Sequence, residues 1–223
     1  MIKYCPNLKT HPERREYPML KLYTEAASRR IIERCAPLIR ASSVKYGVPE
    51  DWIRAILFRE LTEIDLLDLA ADFAVRFYYF RYRLFRRRPA AGSGFFGKKD
   101  SSTGYAQIFA FVAIDAANFA LDRGITDYAG MGICSDHRLD PSKPDDIWMI
   151  WRRLNRDKAF NIEMAALNLL SAAQEMTGRM DCPAFTPEET KLCFTRYNAD
   201  VRHITRYGEQ AYRYYLDFQG QAL

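Results

Sequence analysis

The stretch Gly47-Val-Pro-Glu-Asp-Trp-Ile-Arg-Ala-Ile-Leu-Phe-Arg-Glu60 decides how the chain is read. Gly47 closes an apolar-periodic run that ends at Tyr46, the position where a glycine commonly stops a helix. Pro49 in the first turn, with Glu50 and Asp51 beside the positive helix end, starts a second helix. Trp52, Ile53, Ile56 and Leu57 form its apolar face. Glu60 stands one turn further on, on or next to that face. Two readings are open for it. One is a surface carboxylate paired with a neighbouring arginine. The other is a carboxyl whose pKa an apolar setting raises, which a general acid near neutral pH requires.

Outward from this segment the pattern stays helical. Leu22, Ala26, Ile31, Ile32, Cys35, Leu38 and Ile39 give a helix within 19–43. Residues 61–88 read as one long helix, with Leu66, Leu69, Phe73, Phe77, Phe80 and Leu84 in steps of three or four. Its acids (Glu63, Asp65, Asp68, Asp72) come first and its arginines last, which complements the helix dipole at both ends. Pro89 and the glycines after it end the helix, and 89–104 reads as a loop. Further helices are expected at 106–121, 145–154, 159–176, 187–196 and 203–218, joined by loops at 124–144 and 177–186. No run alternates with period two over strand length, so the expectation is an all-α fold. No repeat or composition shift divides the chain, so 1–223 is read as a single domain.

Composition excludes several classes. Of 223 residues, 48% are hydrophobic and 27% charged, as in a folded chain rather than a disordered one. Charges interrupt every apolar run well before the ~18 residues of a membrane-spanning helix. No secretory signal is read at the N-terminus, which lacks an apolar core segment. The net charge of +5 is local: 76–99 holds eight basic residues and no acid, leaving 25 basic against 28 acidic elsewhere. A general nucleic-acid coat is therefore not expected. Five scattered cysteines form no C-x-x-C pair, and His11, His137 and His203 lie at no ligand spacing from them, so neither zinc nor another cofactor is expected. Buried free thiols are the plainer reading of the cysteines, with one or two bridges as the alternative outside the cytosol. Gly92, Gly94 and Gly97 match G-x-G-x-x-G but follow a basic helix and Pro89 rather than a strand, so they are read as loop glycines.

The segment ending at Glu60 resembles the catalytic helix of the lysozyme-like transglycosylase family, which includes soluble lytic transglycosylases and goose-type lysozymes. That helix reads Y-G-V-x-x-x-x-I-x-A-I-x-x-E. Three more stretches resemble the family in order over about 40–215. Gly104-Tyr-Ala-Gln107-Ile108 is similar to its G-L-M-Q turn. Phe160-Asn161-Ile162-Glu-Met-Ala165 with Leu169 is similar to its N-I-x-x-G-x-x-Y-L helix. Tyr197-Asn198-Ala199 is similar to its A-Y-N-A-G motif. The chain departs from the family at Leu61 (usually Ser), Asn168 (usually Tyr) and Asp200 (usually Gly). It also places Gly104 44 residues after Glu60 instead of a dozen or so, so about 61–100 is an insertion between two cleft-forming motifs.

The resemblance implies cleavage of the MurNAc–GlcNAc bond of peptidoglycan, with Glu60 as general acid. Asp100, four residues before Gly104, is the candidate second carboxylate. An inverting hydrolase needs such a base at about 6.5–9.5 Å, and a retaining one a nucleophile at about 5 Å. A helix-cap or loop role is the alternative for Asp100. Without a second carboxylate, the family logic is lytic transglycosylation, in which one Glu serves as acid and then base and a 1,6-anhydro sugar forms. Gly104 and Gln107 in the turn, and Asn161, would bind the glycan or frame the cleft. By the same resemblance Tyr197 would hydrogen-bond the catalytic Glu, and Asn198 would help shape the site; a plain core tyrosine is the alternative for Tyr197.

The basic-aromatic segment 76–88 has three readings. Its aromatics pack while its arginines, Arg86, Arg87 and Arg88 among them, snorkel. Or it meets an anionic envelope polymer or membrane surface. Or, least favoured, it binds nucleic acid. A peptidoglycan substrate calls for export or injection to the envelope by a non-classical route, for holin-mediated release as a phage-type lysin, or for a domain of a larger secreted protein. A toxin or effector of this kind would be met by an immunity protein. The competing class is a non-catalytic helical binding module that uses the basic helix.

Overall fold

The computed structural model describes residues 20–85 and 97–220. Among these the regular structure is helical, and residues pair as strands do only at two isolated bridges, Lys21 with Asp65 and Thr103 with Ile108. The all-α expectation is met.

Helix α1 (Glu25–Tyr46) starts where the Thr24 hydroxyl accepts the Ala27 N–H and stops at Gly47, whose φ of 69° is the left-handed value a C-terminal glycine supplies. It buries Ile32, Cys35 and Ile39. Helix α2 (Glu50–Glu63) is buried on nearly every side, through Trp52, Ile53, Ile56, Leu57, Phe58 and Leu61. It packs between α1 and the last helix, α8 (Arg206–Phe218). Helix α6 (Lys158–Thr177) is the second central element. It touches α1, α2, α4 (Ala110–Asp122), α5 (Pro144–Arg156) and α7 (Pro187–Asn198). A short 3-10 turn, Cys182–Ala184, precedes α7, and a reciprocal capping box of Thr186 and Glu189 starts it. Edge-on aromatic pairs seal this side of the core, with Trp52 at 5.2 Å from Phe194 and 5.8 Å from Phe185.

The long helix expected over 61–88 is two helices. Ile64 is extended at ψ 128°, and α3 begins at Leu66 and runs to Phe85. The break is a capping box. The Asp65 carboxylate accepts the N–H groups of Leu67 (2.7 Å) and Asp68 (3.1 Å), while the Asp68 carboxylate accepts the Asp65 N–H (3.0 Å). Those acids do more than complement a dipole; they restart the helix. The freed Ile64 carbonyl takes the Leu22 N–H at 2.9 Å, which ties the chain before α1 to the break. Two other starts also move. The helix expected from 106 begins at Ala110 because 103–108 folds into a tight turn, with Thr103 and Ile108 exchanging backbone bonds of 3.2 and 3.3 Å. The helix expected from 203 begins at Arg206, behind the Thr205 cap.

Helix α3 packs through Ala71, Ala74, Val75, Tyr78 and Tyr79, and Tyr79 stacks on Trp148 of α5 at 4.8 Å. The residues that give the segment its apolar period face the other way: Leu66, Leu69, Phe73, Phe80 and Leu84 are each more than half exposed. Arg86, Arg87, Arg88, Gly92 and Gly94 lie outside the described residues, as do Cys5 and His11.

Candidate functional site

Glu60 occupies the last turn of α2, beside the buried Leu57 and Leu61, and is itself half-buried. Its Oε1 accepts the hydroxyl of Tyr207, the second residue of α8. Gly208, the next residue, sets α8 against α7. A Cβ there would stand 2.2 Å from Thr195 Oγ1 and 2.5 Å from the Lys191 carbonyl oxygen, so α8 lies against α7 through a bare Cα. The Arg59 guanidinium covers the Tyr207 ring at 4.5 Å. Burial pushes the Glu60 carboxyl from 4.5 up to about 7. The Arg59 charge and the Tyr207 hydroxyl pull it down, while Glu63 and Asp68 push it further up. Desolvation wins, so near neutrality Glu60 holds a proton it can give. The surface-paired reading of Glu60 does not describe this residue.

Tyr197 is buried beside Glu60, whose charge is the second cause, after burial, of its raised pKa. Its one hydroxyl proton goes elsewhere, to the Ala106 carbonyl at 2.8 Å. The tyrosine that donates to Glu60 is Tyr207, and this corrects the role expected of Tyr197. Tyr197 instead fastens α7 to the turn at 104–107.

That turn is built backbone-first. Gly104 has φ 73°, and a Cβ on it would meet Asn161 Nδ2 at 2.2 Å and the Leu154 carbonyl oxygen at 2.8 Å. Asn161, 1% exposed, grips the turn with both ends of its amide. Its Nδ2 donates to the Thr103 carbonyl at 3.0 Å, and its Oδ1 accepts the Ala106 N–H at 2.8 Å. Asn161 therefore frames the site and cannot reach a ligand. Gln107 is half-buried at φ 44°, and its Nε2 donates to the Gly104 carbonyl at 2.8 Å. Its side-chain oxygen is the part of the turn with acceptor capacity to offer a ligand.

Asp100 accepts backbone N–H groups on both of its oxygens. Its Oδ1 accepts the N–H groups of Ser101 (2.9 Å) and Ala110 (3.1 Å), and its Oδ2 accepts that of Phe111 (2.9 Å). It caps α4 from ten residues upstream, which is the helix-cap reading. Burial pushes its carboxyl up to about 7 against the pull of those three N–H groups, and neighbouring Asp72 adds to the rise. Asn198 is exposed at the end of α7. Leu61 is fully buried where the resembled family carries Ser, so the hydroxyl of that position is replaced by core packing.

A half-buried carboxylate anchors the insertion. Asp72 of α3 accepts the hydroxyls of Ser101 (2.8 Å) and Thr103 (2.9 Å) and the Asn155 amide (2.9 Å), while Arg76 donates to Asn155 at 2.6 Å. Thr103 opens the Gly104 turn, so α3 is hydrogen-bonded to the same segment that Asn161 grips. Sequence reasoning missed both Asp72 and Tyr207. The available signal for Tyr207 was an aromatic followed by glycine in a helix's first turn, and no spacing rule joins it to a residue 147 positions away.

Among the described residues no cluster of His, Cys, Asp and Glu has the makeup of a metal site. A surface depression of about 310 Å³ is lined by Gln210, Arg213, Tyr214, Leu216 and Asp217 of α8 and includes none of the residues above. Compared with known proteins, the chain matches no family model, no curated protein and no solved structure.

Proposed function

We propose that the protein cleaves the glycan strand of peptidoglycan at the MurNAc–GlcNAc bond, with Glu60 as general acid. The observation that carries this reading is a carboxyl at the end of a buried helix, held by a tyrosine hydroxyl, with its pKa at about 7. The four sequence stretches that resemble the lysozyme-like family supply the substrate class. Support for a shared architecture comes from the Glu60 helix, the Gly104 turn, the Asn161 helix and Tyr197, which lie in one connected assembly.

The mechanism follows from the proton and its holder. The Tyr207 hydroxyl occupies Oε1, which leaves Oε2 to carry the proton toward the glycosidic oxygen. As the bond breaks, Glu60 becomes the carboxylate that Tyr207 and Arg59 stabilise. Both oxygens of Asp100 accept backbone N–H groups, two of them at the start of α4, which supports a capping role over that of a second catalytic carboxylate. This favours the single-carboxylate course: Glu60 then takes the proton of the muramic 6-hydroxyl, which attacks the anomeric carbon and closes a 1,6-anhydro ring. The bond to the leaving sugar oxygen breaks, and the two proton transfers balance. Digestion of purified peptidoglycan followed by product masses tests this. Anhydro-muropeptides are expected; products one water heavier, with a reducing end, would require a water-activating base and overturn the single-carboxylate course.

A further inference from the structure

Helix α3 carries an outward apolar stripe that the glycan-cleaving reading does not use. At roughly 100° per residue, Leu66, Leu69, Phe73, Phe77, Phe80 and Leu84 fall within about 80° of one another. The stripe lies opposite the face that packs through Ala71, Val75 and Tyr78. Five of the six are more than half exposed, and Phe77 stacks on Phe73 at 6.5 Å, so the surface is contiguous. Arg81 borders it on one side, over the Phe77 ring at 5.9 Å, and the exposed Arg76 and Arg83 flank the other, where Arg76 also donates to Asn155 and Arg83 lies over Trp148 at 6.0 Å. Asp72, one turn before Arg76, is the acid of α3 nearest the stripe on that second side. Asp68 is engaged in the helix start, and Asp72 is bonded inward to Ser101, Thr103 and Asn155.

We propose that this stripe of α3 seats on an anionic lipid bilayer surface, with its leucines and phenylalanines in the acyl boundary and Arg81 at the headgroups. An apolar stripe edged by Arg is what an interfacial helix needs. Charge decides the occupant. The segment 76–99 carries eight basic residues and no acid, complementary to anionic headgroups. A second copy of the chain would bring the same arginine borders against themselves. Residues 1–19 of this chain hold four basic and two acidic residues, so they too meet the stripe with like charge. A hydrophilic polymer would leave the leucines and phenylalanines in water. No helix among the described residues is long and apolar enough to cross a membrane, so the helix lies on the surface rather than through it.

The test is cosedimentation of the full chain with vesicles of phosphatidylglycerol and phosphatidylcholine, against phosphatidylcholine alone. Binding at least about tenfold tighter to the anionic vesicles, weakening as salt rises, is expected. The double variant Phe73→Glu/Phe80→Glu changes exposed residues, so it keeps its helical circular dichroism and loses binding. Phe73→Trp reports insertion directly through a blue shift and quenching by brominated lipid. Wild type that ignores both vesicles, or a double variant that binds as wild type, overturns the proposal. So does light scattering that shows a wild-type dimer, a monomeric double variant and no lipid binding. Glu60→Gln binds vesicles as wild type does, so failure of the cleavage reading leaves this result interpretable.

Discussion

Glu60 ties the fold to pH. Its carboxyl titrates at about 7 in the folded chain against 4.5 ordinarily, so the folded state holds the proton more tightly than the unfolded one. The stability this contributes is whole below pH 4.5 and is lost as pH rises through 7. Gln cannot ionise and still accepts from Tyr207. Glu60→Gln should therefore raise stability at pH 8 by up to ~3 kcal/mol and change little at pH 4, as urea unfolding at the two pH values reads out. Equal stability at pH 8 would mean that the carboxyl is not desolvated. Tyr207→Phe removes a bond that favours the carboxylate, so the alkaline limb of the activity profile should move to higher pH while activity falls. A limb that stays in place would detach Tyr207 from Glu60. At this scale helical periodicity put Glu60 on or next to an apolar face and left its role open; the resemblance singled it out. Its partner was illegible, because contacts between α2 and α8 are made by packing.

Elements are set by their first turns. The apolar period runs unbroken across 61–88, and periodicity alone joins α2 to α3. The reciprocal bonds of Asp65 and Asp68 outweigh it by satisfying backbone donors that a helix start leaves open. An Asp-x-x-Asp spacing was there to be read as a start. The exposed stripe of α3 could not be read, since a period gives a face and not the direction in which it points. Asp100 caps α4 in the same way but from a distance. At pH 8, Asp100→Asn would turn an amide N–H toward a backbone N–H it must accept, and should cost ~1–3 kcal/mol in denaturant unfolding. The folded variant should keep its cleavage activity; lost activity with unchanged stability would restore Asp100 as the second carboxylate. Gly104→Ala places a Cβ inside contact distance of Asn161 and the Leu154 carbonyl at a left-handed φ, and should cost ~3 kcal/mol or more.

Across the molecule, α2 and α6 form a centre against which α1, α4, α5, α7 and α8 pack, and the described thiols follow that burial. Cys35, Cys182 and Cys193 are buried and unbridged, while Cys134 is exposed. Burial pushes the Cys35 and Cys193 thiols up, and that of Cys182 up to about 11. Native labelling followed by peptide mapping should therefore modify Cys134 and spare Cys35, Cys182 and Cys193 until the chain unfolds. Rapid labelling of Cys193 would contradict the packing of α7. The all-α class was legible from periodicity because most helices are long and separately capped. The assembly around Glu60 was legible only through resemblance. Its geometry depends on Asn161 gripping a turn and on Gly208 admitting a neighbour, and neither is written in any local pattern.

The central claim is that Glu60 delivers a proton to a glycosidic bond. The direct measurement is mass analysis of soluble fragments released from purified peptidoglycan of several chemotypes by wild type and by Glu60→Gln, with folding of both checked by circular dichroism. The account predicts anhydro-muropeptides from wild type on at least one chemotype and none from the folded variant. Identical profiles from the two proteins, whether both active or both inert on every chemotype, would contradict it.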